Sequence, residues 1–210
     1  MRQLKLKVCG MRDSNNIKQL LKLQPDYMGF IFYEGSKRFA PELDAELLND
    51  FPAETRKVGV FVNASLDEVK AKVDQYGLDL VQLHGDETVE YVRGLFAVGI
   101  RMIKVFSVGE NFDFDQLTPY KALVDYFLFD TKGKERGGNG LTFNWEILKA
   151  YDQSVPFFLS GGIDNENIAG LEDFKGWNIH AIDVNSKYEI EPGLKDAELL
   201  KKLQNVMPKE

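Results

Sequence analysis

Two residues of this 210-residue chain stand where proton chemistry could begin. Cys9 ends the run LKLKVC and precedes Gly10, where the backbone can turn sharply. A thiol accepts protons once a nearby cation or helix N-terminus lowers its pKa from the ordinary ~8.5. Asp130 closes the apolar run FLFD. Apolar neighbours raise a carboxyl's pKa, which lets it hold a proton near neutrality as a general acid must. Each residue also has a plainer reading. Free cysteine is often a small core hydrophobe, and an aspartate after a strand often caps a helix or anchors a loop. Taken together they supply one base and one acid, which suits moving a proton between neighbouring atoms.

Other polar residues recur just after apolar runs. Arg38, in GFIFYEGSKRF, could grip a carboxylate through two parallel hydrogen bonds. His84, in VQLHGDE, is the weaker binding candidate, because a lone histidine more often orders its neighbours; His180 opens an apolar run and reads as structural. Gly161 and Gly162 in LSGGI, with Asp183, Asn185 and Ser186 in DVNS, form two loops suited to holding a phosphate on backbone amides. The stretch KGKERGGNG follows Asp130 directly and contains Gly133, Gly137, Gly138 and Gly140. It is expected to close over a substrate, its glycines permitting close backbone approach. No HExxH, CxxC or ligand-spaced His and carboxylate cluster is present, so a metal is not expected.

These residues need elements to position them. Short runs rich in Val, Ile and Phe occur at 4–9, 27–32, 57–62, 78–83, 101–106, 126–130, 156–160 and 180–184. Several are apolar on successive residues, as strands of a parallel sheet are when both faces are buried. Amphipathic stretches lie between them, with starts at Asp13, Pro41, Asp86, Asn144 and Asp196 and an S-x-x-E capping box at Ser65 and Glu68. Two further stretches, 114–123 and 164–171, are weaker helices, one interrupted by Pro119 and the other short. Eight strands alternating with about eight helices predict a single α/β domain over residues 1–210, a (β/α)₈ TIM barrel. An open doubly wound sheet has the same alternation; eight βα units favour closure. In such a barrel, ligands bind at the C-terminal ends of the strands, where the polar residues above fall.

The formal net charge is −7 and the basic residues are scattered, which argues against nucleic acid as a partner but not against a small phosphorylated substrate. No apolar run approaches the ~20 residues of a membrane span. The opening MRQLKLKVCGM lacks a signal peptide's apolar region and cleavage site, and a lone cysteine suits a reducing compartment. A cytoplasmic protein is expected, as monomer or homodimer.

The motifs, in order, resemble those of the phosphoribosylanthranilate isomerases from end to end. KVCGM resembles the family's opening strand, which places its catalytic cysteine on Cys9. GFIFYEGSKRF resembles the second strand with its S-x-R loop, and places the substrate-binding arginine on Arg38. VGVFVN and VQLHGDE resemble the third and fourth strands, and FLFDTKGKERGGNGLTFNW the segment with the catalytic aspartate, here Asp130. FFLSGGI and DVNSKYEIEPGLKD resemble the phosphate loops and the entry to the last helix. The resemblance implies an Amadori rearrangement of N-(5-phosphoribosyl)anthranilate with no cofactor, with Asp130 as acid and Cys9 as base. Arg38 would hold the anthranilate end, Gly162, Asn185 and Ser186 the phosphate, and Asp183 would support the site. After Ser186 the chain departs from the family's small residue and Val-Glu pair with Lys187-Tyr188-Glu189, and Glu34-Gly35 stands where a proline is common. A histidine-pathway isomerase would use two aspartates and bind a phosphate at each end of its substrate, a metal-dependent epimerase would need ligands, and a non-catalytic binding protein would have no need of Cys9 and Asp130.

Overall fold

The structure, a computed structural model, describes residues 4–131 and 145–207; the glycine-rich stretch after Asp130 lies outside the described residues, as does the expected helix start at Asn144. Eight strands form a closed parallel barrel in sequence order: β1 (Lys5–Cys9), β2 (Tyr27–Ile31), β3 (Arg56–Phe61), β4 (Leu80–Leu83), β5 (Met102–Val108), β6 (Tyr126–Thr131), β7 (Phe157–Leu159) and β8 (Ile179–Val184). Each falls on an apolar run read from the sequence. The seam joins β1 to β8 and sets Lys7 opposite Asp183.

Continuous apolar runs arise here because each strand is buried on both faces. One set of side chains packs outward against the helices in a large cluster that includes Met28, Phe61, Val81 and Phe129. The alternate set points inward, where Tyr27, Val58, Leu80, Ile103, Val105, Leu128, Phe158 and Ala181 fill the barrel axis.

The helices begin where short polar side chains satisfy free backbone donors. Asp13 caps α1 (Ser14–Leu21), Ser65 caps α3 (Leu66–Tyr76) and Asp196 caps α5 (Ala197–Val206), as the sequence predicts. Two starts differ. Asp44, not Pro41, precedes α2 (Ala45–Asn49), and Thr88, not Asp86, precedes α4 (Val89–Ala97), because Asp44 and Thr88 accept from the third residue on. The expectation of about eight helices also needs correction. After β5, β6 and β7 the described crossovers are 3₁₀ segments, Phe114–Tyr120, Trp145–Ala150 and Ile168–Phe174. Pro119 cannot donate within the first, and Gly170 weakens the third.

Beyond β8, a short antiparallel hairpin of β9 (Glu189–Glu191) and β10 (Leu194–Lys195) turns at Pro192-Gly193. It is absent from the sequence reading, and it brings two charged residues to the barrel mouth. Among the described residues, no helix is long and apolar enough to cross a membrane.

Candidate active site

Cys9 is the last residue of β1 and is buried. Its neighbour in register is Gly29, where an added Cβ would lie 2.7 Å from the cysteine sulfur. Gly10 turns the chain at φ +80°, and a Cβ there would meet Arg38 at 2.7 Å and Asn185 at 2.9 Å. The missing side chains at these two positions let thiol, guanidinium and amide crowd together. Cys9, Arg38, His84, Asp130, Asp183 and Asn185 line one cavity at the C-terminal end of the strands, as expected.

Asp130 is buried near the end of β6, and its Oδ2 lies 3.8 Å from His84 Nε2. The His84 loop rests on a buried ion pair. Glu87 accepts from the Gly85 and Asn63 amides at 3.0 Å, and Lys104 reaches both Glu87 at 2.8 Å and the Gly85 carbonyl at 2.9 Å. On the other side of the ring, Gln82 Nε2 is 3.4 Å from His84 Nδ1. Gln82 is buried on β4 and lines the cavity, and its Oε1 has no partner among the described residues. An unmet buried acceptor is costly, so it offers a hydrogen-bonding site to a ligand hydroxyl or N–H.

A chain of charges runs beside the thiol. Lys7, fully buried, contacts Asp183 at 2.8 Å. Lys195 donates to Asn185 Oδ1 at 2.6 Å and to Glu189. Arg38 donates to Glu189 through Nε and Nη2 at 2.7–3.0 Å, leaving Nη1 without a partner among the described residues. Burial pushes the Cys9 thiol up, against the pull of Lys7 and Lys195. The expected lowering of the thiol is therefore opposed by its own enclosure. Burial works to lower the Lys7 ammonium too, but Asp183 beside it holds it above the usual lysine range. Lys195 is brought down to about 8 by burial, despite Glu189. Burial would raise Glu189, yet Arg38 and Lys195 hold it below the usual carboxylate range.

The two loops read as phosphate-binding follow β7 and β8. Gly161 and Gly162 take φ +97° and +68°, a left-handed pair that side chains would strain. They adjoin Ser160, which lines the cavity. A 3₁₀ turn, Ser186–Tyr188, begins after Asn185, whose side chain makes no cap but turns to Lys195. The turn's first amides are thus left uncapped by that side chain. Lys187 is exposed and stands 3.7 Å from Asp164, and Tyr188 is buried with its hydroxyl donating to Asn165 at 3.0 Å. His180 lies away from this cavity and meets the Tyr27 hydroxyl at 2.7 Å, the structural position expected of it.

Sequence reading missed Lys7, Gln82, Glu189 and Lys195. A signal existed for the first two, since the two-residue period of a strand sets Lys7 on the face of Cys9 and Gln82 on that of Leu80. Glu189 and Lys195 required the hairpin. Among the described residues, no group of three or more His, Cys, Asp and Glu is placed to hold a metal ion.

Residues 6–206 match the family model described as N-(5'phosphoribosyl)anthranilate (PRA) isomerase. A relative of that name from Parabacteroides distasonis is 43% identical over 198 residues, covering 93% of this chain and 90% of its own. The crystal structure of phosphoribosyl anthranilate isomerase from Thermotoga maritima superposes with a TM-score of 0.84 at 31% identity, over 97% of this chain and 98% of that one. A phosphoribosyl anthranilate isomerase in complex with reduced 1-(o-carboxyphenylamino)-1-deoxyribulose 5-phosphate gives 0.82 at 29% identity, over 96% of each chain. This chain belongs to the N-(5'-phosphoribosyl)anthranilate isomerase family.

Proposed function

We propose that this chain, as a single barrel domain, isomerises N-(5-phosphoribosyl)anthranilate to 1-(2-carboxyphenylamino)-1-deoxyribulose 5-phosphate, a step of tryptophan biosynthesis, with Asp130 as general acid and Cys9 as general base. The observation that carries this reading is a buried thiol and a buried carboxyl lining one cavity, with two phosphate-type loops at its edge. Asp130 gives its proton to the furanose ring oxygen, and the C1–O bond breaks to leave a Schiff base. Cys9 removes the proton at C2 of the sugar, and the resulting enolamine tautomerises to the ketone. Every atom of the substrate is retained and only protons move.

The rest of the site orients these steps. Arg38 meets the anthranilate carboxylate with the part of its guanidinium that Glu189 leaves free, and Glu189 fixes the plane of the fork. Gly161, Gly162, Asn185 and Ser186 hold the phosphate through main-chain amides. His84 steadies the Asp130 carboxyl, and Gln82 Oε1 accepts from a sugar hydroxyl. A reduced thiol as base suits a cytoplasmic setting.

Turnover of phosphoribosylanthranilate, followed by loss of anthranilate fluorescence, tests the assignment. Wild type should be active, and Cys9→Ala and Asp130→Asn should each lose about 10²–10⁴ in kcat while remaining folded. An active Cys9→Ala would return that residue to a core role.

A further inference from the structure

Lys7 takes no proton in the steps above, yet it is the most enclosed charge beside the thiol. It precedes Cys9 by two residues on β1, so both side chains point into the barrel. Its ammonium is wholly screened from solvent, sits 2.8 Å from Asp183 across the β1–β8 seam, and interacts with the Cys9 sulfur. A buried ion pair is seldom more stabilising than apolar side chains of similar volume. The inward positions deeper in this barrel, such as Val58, Leu80 and Leu128, are apolar. An ammonium in this place therefore calls for a chemical reason.

We propose that Lys7, fixed by Asp183, is a positioning residue whose charge keeps Cys9 able to act as a base by favouring its thiolate where burial disfavours it. The proposal rests on the reading of Cys9 as the base. The other charged and titratable groups around the sulfur do not supply this effect. Asp183 from β8 opposes the thiolate. Lys195 from β10 assists, but it is shared with Glu189 of β9, and burial brings it down to about 8. Arg38, from the loop after β2, has its charge met by Glu189. Asp130 and His84 face one another across the cavity. Lys7 is the ammonium that stays charged while the thiol titrates, because Asp183 and the Cys9 sulfur together hold it above the usual lysine range against the effect of burial.

The chain has a single cysteine, so thiolate ultraviolet absorbance, with Cys9→Ala as the blank, reports this group alone. Lys7→Met should move the titration midpoint upward by at least about one pH unit. The acid limb of kcat/KM should move with it, and kcat at neutral pH should fall about tenfold or more with little change in KM. Lys7→Met strands the Asp183 charge, so Lys7→Met/Asp183→Asn, which strands none, is the companion. In it the thiol should still titrate above the wild-type value. A thiol midpoint unmoved in the variants, or restored to wild type in the double variant, overturns the proposal and leaves Lys7 as a counter-ion for Asp183. Wild-type turnover by Cys9→Ala is a separate failure, one that removes the base reading whatever Lys7 does to the thiol.

Discussion

Both ends of the barrel interior bury polar side chains, but of opposite kinds. At the N-terminal end, the Tyr27 hydroxyl meets His180 at 2.7 Å among aromatic rings, with Phe158 at 5.1 Å from Tyr27 and Tyr126 at 4.3 Å from His180. Burial pushes the Tyr27 phenol above its ordinary range, so it keeps its proton. At the C-terminal end, Lys7, Asp183, Lys195, Glu189 and Arg38 carry formal charges around one thiol. A satisfied hydrogen bond between polar groups is cheap to bury, whereas ions cost several kcal/mol each before their partners offset the loss. One wall of eight strands therefore serves two purposes. Its lower end is arranged for packing, and on the proposed function its upper end tolerates expensive charges because the proton transfers take place there.

The sharpest way to break this comparison is to exchange the effects. Asp130→Asn should cost about 10²–10⁴ in kcat, yet shift the unfolding midpoint little, since the side-chain volume is kept. Arg38→Met comes next. Loss of a charged hydrogen bond to the substrate, about 1.5–3 kcal/mol, should raise KM by roughly 10–100-fold. Steady-state kinetics would show kcat less affected than KM; the reverse pattern would place Arg38 in the proton transfers. Tyr27→Phe is the counterpart at the lower end. It removes a buried hydrogen bond to His180, and should lower stability by about 0.5–1.5 kcal/mol in denaturant unfolding. Its kcat per folded molecule should stay at the wild-type value. A large kcat loss there would mean that the two ends are coupled, and the division just drawn would fail.

How much of this was legible depends on the distance over which each feature is decided. The strands were legible because two-sided burial writes a local apolar run, and all eight runs became barrel strands. Cys9 and Asp130 stood out because each ends such a run. The 3₁₀ crossovers were not legible, since Pro119 and Gly170 weaken a helix without saying what replaces it. For Lys7 the strand period set the face it shares with Cys9, but not its partner. A lysine in an apolar run reads as a solvent-facing residue, and its partner Asp183 is 176 residues away, joined to it only when the barrel closes. The hairpin strands, three residues and two, are too short to show a period. With them went Glu189 and Lys195, and so the finding that Arg38 meets a carboxylate of its own chain.

The smallest expected effect marks where the charged end of the barrel stops. Lys187 falls in the 3₁₀ turn directly after Ser186, where the chain departs from the resemblance in residue type. An added cation beside a phosphate loop would tighten substrate binding, but the side chain is 42% exposed and stands 3.7 Å from Asp164. An exposed pair of this kind contributes about 0–1 kcal/mol, and salt screens it further. Main-chain amides carry the phosphate in this reading, and they do not depend on the residue's side chain. Lys187→Ala should therefore change KM less than about twofold, with stability within about 0.5 kcal/mol of wild type. A KM rise of roughly tenfold that fades as salt is added would show instead that Lys187 reaches the phosphate. The charged region would then extend one residue further along the loop than the described contacts place it.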